Sequence, residues 1–408
     1  MVAVLAALVL AVSPPEVTPL TFTEALTLAE RTPGPIGAAR AVEARQEQSE
    51  RLSSLLLNPP FTIEPGYRRR PGDAQGVDLR VGVSQAFNLS GQKEARGAAV
   101  RVEEAALEAE ARAVLLERRL SVAEAWLALW AAEQAVEQST QEVTLAESFR
   151  KAVDAAAALG ASTKLEQSEA SAYLAEARLA LLDAEGLVAE RRVALARLLG
   201  QEPSRPPRAT GPLPEVELPA PESYASVVAQ ADKLPEAAAR SLGAKAERAR
   251  AEELRTQRDT WLNLGVSGMR EYDGAYGGAL TVSLVPPLFD RGERERGTLL
   301  ANAARLEGEA RDATHRATGE LLLAFHEVEH SREVLDTLQQ QLLPAAEEAA
   351  RLRELLFQSG DSTVPEVVLA RRALASARIR LGLARAEEVR ARVKARFLLD
   401  ALSGVHTP

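Results

Sequence analysis

Apolar residues recur at every seventh position over long stretches of the chain. The first stretch, about residues 92–159, contains no proline, so no residue in it is expected to interrupt a helix. At 1.5 Å per residue, a helix of that length reaches about 100 Å. Its heptad column consists of Leu115, Val122, Leu129, Val136 and Val143, and the column of the next stretch consists of Leu174, Leu181, Val188 and Leu195. The two columns predict an antiparallel coiled coil.

The second half of the chain repeats this pattern with one interruption. Its heptad column consists of Leu321, Val328, Leu335, Leu342, Ala349 and Leu356. Pro344 falls inside the stretch, and proline removes a backbone donor from a helix interior. We therefore predict a kink or a loosened turn near Pro344.

Shorter runs alternate between apolar and polar residues. Val77, Leu79, Val81 and Val83 fall on one face of such a run, and the runs beginning at Trp261 and Gly278 behave in the same way. Runs of about ten residues with turn-rich connections and aromatics near their ends are typical of transmembrane β-strands. The predicted aromatic girdle is Phe61, Tyr67, Phe87, Trp261, Tyr272, Tyr276 and Phe289.

Four such strands cannot close a barrel across a bilayer, because open edges in hydrocarbon leave backbone groups unpaired. Two chains would supply eight strands, which leave room only for packed side chains. Three chains would supply twelve strands and a lumen. The pattern therefore favours a trimer if a solute is to pass through the barrel.

The chain contains a duplication at an offset of 200 residues. A G-x-S-T-x-x-E turn occurs at Gly160 and again at Gly360, and each turn precedes a long helical stretch. The predicted division is a signal peptide at 1–13, a first repeat at 14–200, a linker at 201–221 and a second repeat at 222–408. The linker carries seven prolines, which exclude a continuous helix.

Composition and charge exclude several classes of partner and site. The net charge of −9 argues against nucleic acid as a partner. The absence of cysteine excludes disulfides, thiolate metal sites and an N-terminal lipid on cysteine. The apolar run from Val2 to Val12 is too short to span a bilayer and matches the core of a signal peptide.

One motif suggests catalysis. Residues 326–330 read HEVEH, in which His326 and His330 could hold zinc and Glu327 could act as general base. The heptad column passes through Val328, so both histidines lie about 160° away from it on a helix. No further histidine follows at metalloprotease spacing. We expect the motif to form a polar helix face. Weak metal binding by His326 and His330 stays an open alternative.

The helix turns carry a second motif that has a structural meaning. Thr163 with Glu166, and Thr363 with Glu366, each match the capping box, in which the hydroxyl and the carboxylate satisfy free amides at a helix start. The preceding glycines suit a chain reversal because they tolerate positive φ.

The sequence resembles the TolC-like outer-membrane efflux proteins. The resemblance covers nearly the whole chain and rests on the duplicated layout, the opening LTFTEALTLAERTPG, the joins VSQAFNLSGQKEAR and VSLVPPLFDRGERERG, and the paired turns ALGASTKLE and FQSGDSTVPEVVLARRAL. The two joins are most similar to the branch that serves heavy-metal exporters of the cobalt-zinc-cadmium type. Gln92-Lys93 and Val285-Pro286-Pro287 depart from that branch's pattern, so the cargo stays open between a metal ion and an organic compound.

The resemblance implies a fold that is mainly α with a membrane β-barrel. In it, three chains share a twelve-stranded barrel in the outer membrane and an α-barrel of twelve helices in the periplasm. It also implies a periplasmic adaptor at the helix tips and an inner-membrane pump, expected to be proton-driven. The expected adaptor contacts are Gly160, Ser162, Thr163, Gly360, Ser362 and Thr363. The expected entrance-gate acids are Glu366, Glu166 and Glu169, whereas Leu369 replaces the family's second acid.

The leading functional prediction is a passive outer-membrane duct, which needs neither a catalytic residue nor a cofactor. The first alternative is a soluble coiled-coil adaptor or scaffold of the periplasm. A zinc metalloprotease built on HEVEH is the remote alternative.

Overall fold

The computed structural model describes residues 17–54, 57–69, 75–202 and 205–404. The predicted signal peptide at 1–13 lies outside these residues. Among them, the α-helices are α1 Phe22–Glu30, α2 Pro33–Ser54, α3 Gln92–Ala158, α4 Lys164–Leu199, α5 Tyr224–Val228, α6 Pro235–Gln257, α7 Glu293–Thr337, α8 Leu343–Ser359 and α9 Val364–Ser403. The strands are β1 Thr18–Leu20, β2 Phe61–Arg68, β3 Gly76–Asn88, β4 Pro207–Ala209, β5 Trp261–Arg270 and β6 Tyr276–Val285.

The chain divides into two compact units. The first comprises the described residues of Met1–Ile36, Val114–Ala231 and Ala317–Pro408, and the second comprises those of Gly37–Ala113 and Asp232–Arg316. Each sequence repeat contributes to both units, so the units do not coincide with the repeats. The boundaries proposed from the repeat stay a prediction.

The long helices confirm the heptad pattern. Helix α3 has 67 residues and α4 has 36. They run antiparallel in the first unit, because Arg178 contacts Glu147 at 2.6 Å while Arg192 contacts Glu133 at 2.7 Å. Several column residues of both helices are buried in one hydrophobic cluster, namely Val122, Leu129, Val188 and Leu195. Burial of such a seam is the main favourable contribution to the hairpin.

A π-helical turn, Leu338–Leu342, separates α7 from α8 and confirms the prediction of a loosened turn near Pro344. It also corrects the heptad column. Leu321 and Val328 are buried as predicted, but Leu342 is 40% exposed, and Ala346 and Ala350 are the buried positions beyond the turn. The wider turn accommodates an additional residue, so the following residues rotate by about 100° relative to the predicted seam.

The second unit contains a four-stranded antiparallel sheet in the order β2-β3-β5-β6. Its register pairs Ile63 with Val81, Val83 with Val266, and Val266 with Leu280. Residues that pair across strands share a face. One face therefore carries the apolar side chains, whereas the other carries small and polar ones such as Ser84 and Ser267.

A second, parallel strand pair lies in the first unit. Strand β1 pairs with β4 through Thr18 and Pro207, and Leu20 and Ala209. The segment 201–221, predicted as a linker alone, thus contains a strand that pairs with the start of the described chain. Both strands have three residues and no room for an alternating pattern, which explains why the sequence pattern missed them.

None of the helices in the described part of the chain is both long and apolar enough to traverse a lipid bilayer.

Candidate functional site

The α3–α4 turn is the first of two helix tips. Gly160 adopts φ 77°, a conformation that costs glycine little and other residues more. Its N–H donates to the Ala157 carbonyl at 3.0 Å, and the Ala161 N–H donates to the Ala156 carbonyl at 2.9 Å. These bonds satisfy carbonyls at the end of α3 and reverse the chain.

Glu166 belongs to the cap at the start of α4 in this tip. Its carboxylate accepts from the Thr163 N–H at 2.7 Å and from the Ser162 hydroxyl at 2.9 Å. The Glu166 N–H donates to the Thr163 hydroxyl at 3.2 Å. The predicted capping box is therefore present, and it satisfies free amides at the start of α4.

The α8–α9 tip repeats this geometry. Gly360 adopts φ 83°, and the Asp361 N–H donates to the Leu356 carbonyl at 2.8 Å. Glu366 accepts from the Thr363 N–H at 3.0 Å and from the Ser362 hydroxyl at 2.8 Å. The duplication in the sequence thus corresponds to two equivalent tips.

Hydrogen bonding favours the ionised form of both carboxylates. The Thr363 N–H, followed by the Ser362 hydroxyl, lowers the pKa of Glu366. The Thr163 N–H and then Ser162 lower the pKa of Glu166. Glu366 also contacts the Arg353 guanidinium at 3.3 Å. Both tips therefore present an ionised carboxylate at neutral pH, and at Glu366 a cation lies next to it.

We expect the capping carboxylates to stabilise the tips in a pH-dependent manner. Because their pKa values are lower in the folded chain, the stabilisation is present above the unfolded-state value of about 4.3 and is lost as the pH falls through the folded value. Hydrogen exchange of the 159–170 segment should be faster in Glu166→Gln than in the wild type at pH 7. The difference should shrink below about pH 4. An equal difference at both pH values would contradict this account.

Both tips share one hydrophobic cluster in the first unit. Phe149 of α3 packs against Tyr173 of α4, with ring centroids 6.3 Å apart, and against Phe357 of α8 at 5.6 Å. Val364 and Val367 of α9 complete the cluster. Burial, followed by the hydrogen bond to Glu142, raises the pKa of Tyr173. The contacts bring the two sequence-predicted tips together.

Arg371 is a residue of this cluster that sequence reasoning missed. Its side chain is only 10% exposed, its guanidinium lies 4.8 Å from the Phe149 ring, and it donates to the Leu145 carbonyl at 3.3 Å and to Glu354 at 2.8 Å. Arg371 follows Val364, Val367 and Val368 at helical spacing. A charged residue within an apolar stripe was the signal that could have identified it.

Glu169 differs from the other two acids. Its Oε2 atom is buried and makes no hydrogen bond within the described residues. The structure therefore brings Glu166 and Glu366 into equivalent caps and leaves Glu169 outside that arrangement.

The sheet of the second unit presents its apolar face uncovered. Ile63 is 68% exposed, Val266 is 62% exposed and Leu280 is 75% exposed. The neighbouring residues Gly82, Ser84 and Ser267 on the polar face are less exposed. On the edge strands, polar-face residues such as Thr62 and Thr281 are exposed as well. A soluble sheet packs its apolar face inward, whereas the described residues leave the apolar face of this sheet uncovered.

This combination of elements has counterparts among solved structures. The chain aligns with a membrane protein from Pseudomonas aeruginosa at 21% identity over 93% of both chains, with a TM-score of 0.69. It aligns with the outer membrane protein VceC from Vibrio cholerae at 20% identity over 94% of this chain and 96% of that one, with a TM-score of 0.67. The fold is that of the TolC-like outer-membrane channels.

A third structure with this TolC-like fold is the open state of the MtrE outer membrane channel from Neisseria gonorrhoeae. It aligns at 20% identity over 93% of this chain and 88% of that one, with a TM-score of 0.65. No protein-family model and no curated protein matches the sequence. The resemblance inferred from the sequence motifs is thus confirmed at the level of the fold.

Within the TolC-like fold, the predicted girdle aromatics occupy both ends of the sheet. Phe61, Phe87 and Trp261 lie at one end, whereas Tyr67 and Tyr276 lie at the other. Tyr272 lies in the β5–β6 turn and Phe289 lies beyond β6.

The strand register also places one of these aromatics on an unexpected face. Trp261 pairs with Asn88 and Val285, so it lies on the polar face rather than with the other strand aromatics. The indole N–H of Trp261 donates to the Gln257 carbonyl at 2.7 Å.

The HEVEH motif lies on α7 as a polar face. His326 and His330 are exposed, whereas Val328 is buried. Glu327 contacts Lys394 of α9 at 3.1 Å. In the described part of the chain, no group of three or more potential metal ligands converges. Glu327 is thus held in an ion pair rather than placed as a general base beside a three-ligand zinc site.

Proposed function

We propose that the chain is the outer-membrane channel component of a tripartite efflux or export system. The uncovered apolar face of the four-stranded sheet is the observation that carries this proposal. Its exposed side chains include Ile63, Val266 and Leu280, and hydrocarbon is the environment in which such a face is stable. The fold shared with outer-membrane channels supports the same assignment.

The sheet edges support closure of a barrel by several chains, and the need for a lumen supports three. Within the described residues β2 pairs only with β3, and β6 pairs only with β5. Unpaired edges in a bilayer cost several kcal/mol for each lost hydrogen bond, which is the order expected for an unsatisfied polar group. Three chains joined from β6 to β2 form a closed barrel of twelve strands, wide enough for a lumen.

The helices complete the duct on the periplasmic side. Each chain contributes α3, α4, the α7–α8 pair and α9, so three chains supply the twelve helices of an α-barrel. Localisation is therefore the outer membrane, with a large periplasmic portion. Transport through this duct is passive, with no catalytic residue and no cofactor, and a proton-driven inner-membrane pump supplies the energy.

The helix tips are the proposed site of partner binding. Gly160, Ser162 and Thr163, together with Gly360, Ser362 and Thr363, are the residues that a periplasmic adaptor would contact. Glu166 and Glu366 supply ionised carboxylates at the same tips and are proposed as entrance-gate acids. The charge of Glu366 is partly offset by Arg353 at 3.3 Å. Glu169 is proposed as a further gate acid, although its place outside the caps gives it a separate environment.

The two alternative functions fit these observations less well. A soluble adaptor or scaffold would expose the apolar sheet face to water, where contiguous apolar patches promote association. A zinc protease would need Glu327 free to act as a base, whereas it contacts Lys394 at 3.1 Å.

Membrane fractionation with gel mobility tests the proposal. The chain should partition with outer membranes and should run as an SDS-resistant trimer when the sample is not boiled. Boiling should convert this trimer to the monomer, whose mass is 43.8 kDa less that of the removed signal peptide. Extraction of the chain without detergent, as a monomer, would contradict the proposal and favour the soluble scaffold.

A further inference from the structure

His326 and His330 form a pair that the duct proposal does not use. They lie four residues apart on α7, so they share one helix face. Their ring centroids are 6.0 Å apart and their ring planes differ by 15°. Both side chains are exposed.

This spacing is within the reach of one metal ion. A metal bound at about 2.0–2.1 Å from an imidazole nitrogen lies about 3.2 Å from the ring centroid. Two rings on one ion can therefore have centroids up to about 6.4 Å apart. At the ligand angles of roughly 90–110° found in square-planar and tetrahedral sites, the centroids lie about 4.5–5.2 Å apart. Rotation about the side-chain torsions of the two exposed residues must therefore bring the rings about 1 Å closer and turn one nitrogen of each toward the shared ion.

Two glutamates on the same helix favour a cation at the histidine pair. Glu329 follows His326 by three residues, and Glu333 follows His330 by three, so a carboxylate neighbours each imidazole on the helix surface. Both glutamates are exposed. Cations of α9 also face this segment. Lys394 is paired with Glu327 at 3.1 Å, and Arg380 and Arg390 line the same cavity as His330, where Arg390 is paired with Glu387 and Glu124.

We propose that His326 and His330 bind a borderline divalent transition metal, of the class of Cu²⁺, Ni²⁺ or Zn²⁺. Imidazole favours these ions over Mg²⁺ and Ca²⁺, which take oxygen ligands. No third potential ligand converges among the described residues, so water completes the coordination and the ion exchanges readily. The site does not depend on the proposed duct function.

The chain offers a matched control in His315. It is exposed on the same helix, but Arg311 and Gly319 occupy the positions four residues away. His315 therefore cannot chelate with a second imidazole in the way that the pair can. Substitution of His315 removes one histidine without removing the chelate.

Copper titration tests the proposal on the full chain, purified in detergent with a tag that contains no histidine. The wild type and His315→Gln should each bind Cu²⁺ at this site with two nitrogen couplings in the electron paramagnetic resonance spectrum. His326→Gln and His330→Gln should each weaken binding at least about tenfold, because loss of one ligand removes the chelate advantage. The remaining signal of each variant should show one fewer nitrogen.

Two outcomes would overturn the metal site. One is unchanged copper affinity and unchanged nitrogen coupling in His326→Gln and His330→Gln. The other is an equal loss in His315→Gln. Unboiled gel mobility of the same samples is read separately, so failure to form a trimer contradicts the duct and leaves the copper result interpretable.

Discussion

Replacement of Leu280 by arginine should destabilise the membrane-inserted protein by about 2–4 kcal/mol, the cost of a cation on the lipid face near the bilayer midplane. Leu280 lies in the interior of β6, is 75% exposed and pairs with Val266 on the apolar face. The protein loses stability because the substitution transfers a charged group into hydrocarbon. The measurement is the fraction of unboiled trimer in outer membranes, together with denaturant titration of the protein folded into lipid vesicles.

Thr281 provides the control for this substitution. It is the next residue on β6, and its partner Gly265 places it on the polar face. Thr281→Arg should give nearly wild-type trimer yield, because its side chain faces the lumen in the proposed barrel. If the sheet were soluble, Leu280→Arg would instead change stability by no more than about 0.5 kcal/mol, as exposed substitutions usually do. That result would contradict the membrane assignment.

Trp126→Ala should lower the free energy of unfolding by about 3–5 kcal/mol, the range for removing a large buried aromatic side chain. Trp126 is fully buried. Its indole N–H donates to the Leu20 carbonyl at 2.9 Å, and its ring packs edge-on against Phe22 at 5.4 Å. The substitution therefore removes both a cluster centre and the contact that holds β1 and α1 against α3.

Trp130→Ala is the matched comparison, since Trp130 lies one turn further along α3 and is only partly buried. Trp130→Ala should lower the free energy of unfolding by less than Trp126→Ala does. Denaturant unfolding followed by helical circular dichroism measures both. Equal losses, or a loss below about 1 kcal/mol for Trp126→Ala, would show that this cluster does not anchor the chain start.

Periodicity predicted the elements of this fold well because the elements are long and regular. Helix α3 was expected over about 92–159 and occupies Gln92–Ala158, since many heptads define one seam. The caps at Glu166 and Glu366 were equally predictable, because a capping box is local and involves residues three apart.

Features that depend on distant residues were not predictable in this way. The β1–β4 pair joins three-residue segments from distant parts of the chain, and the contact of Lys394 with Glu327 crosses between two helices. Pro344 indicated a loosened turn but not its extra residue, which decides that Ala350 rather than Ala349 is buried.

Two further features follow from the sequence pattern alone. Alternation along β5 assigns Trp261 to the face opposite Leu262, and helical spacing assigns Arg371 to the apolar stripe of α9. Both follow from the same periodicities that identified the elements.

The most direct test of the duct is electrical recording from the purified, unboiled trimer in a planar lipid bilayer. Wild type and Thr281→Arg should each give discrete conductance steps, whereas boiled protein should give none. A trimer that inserts into the bilayer without any conductance, or a chain that never inserts, would contradict the proposed duct.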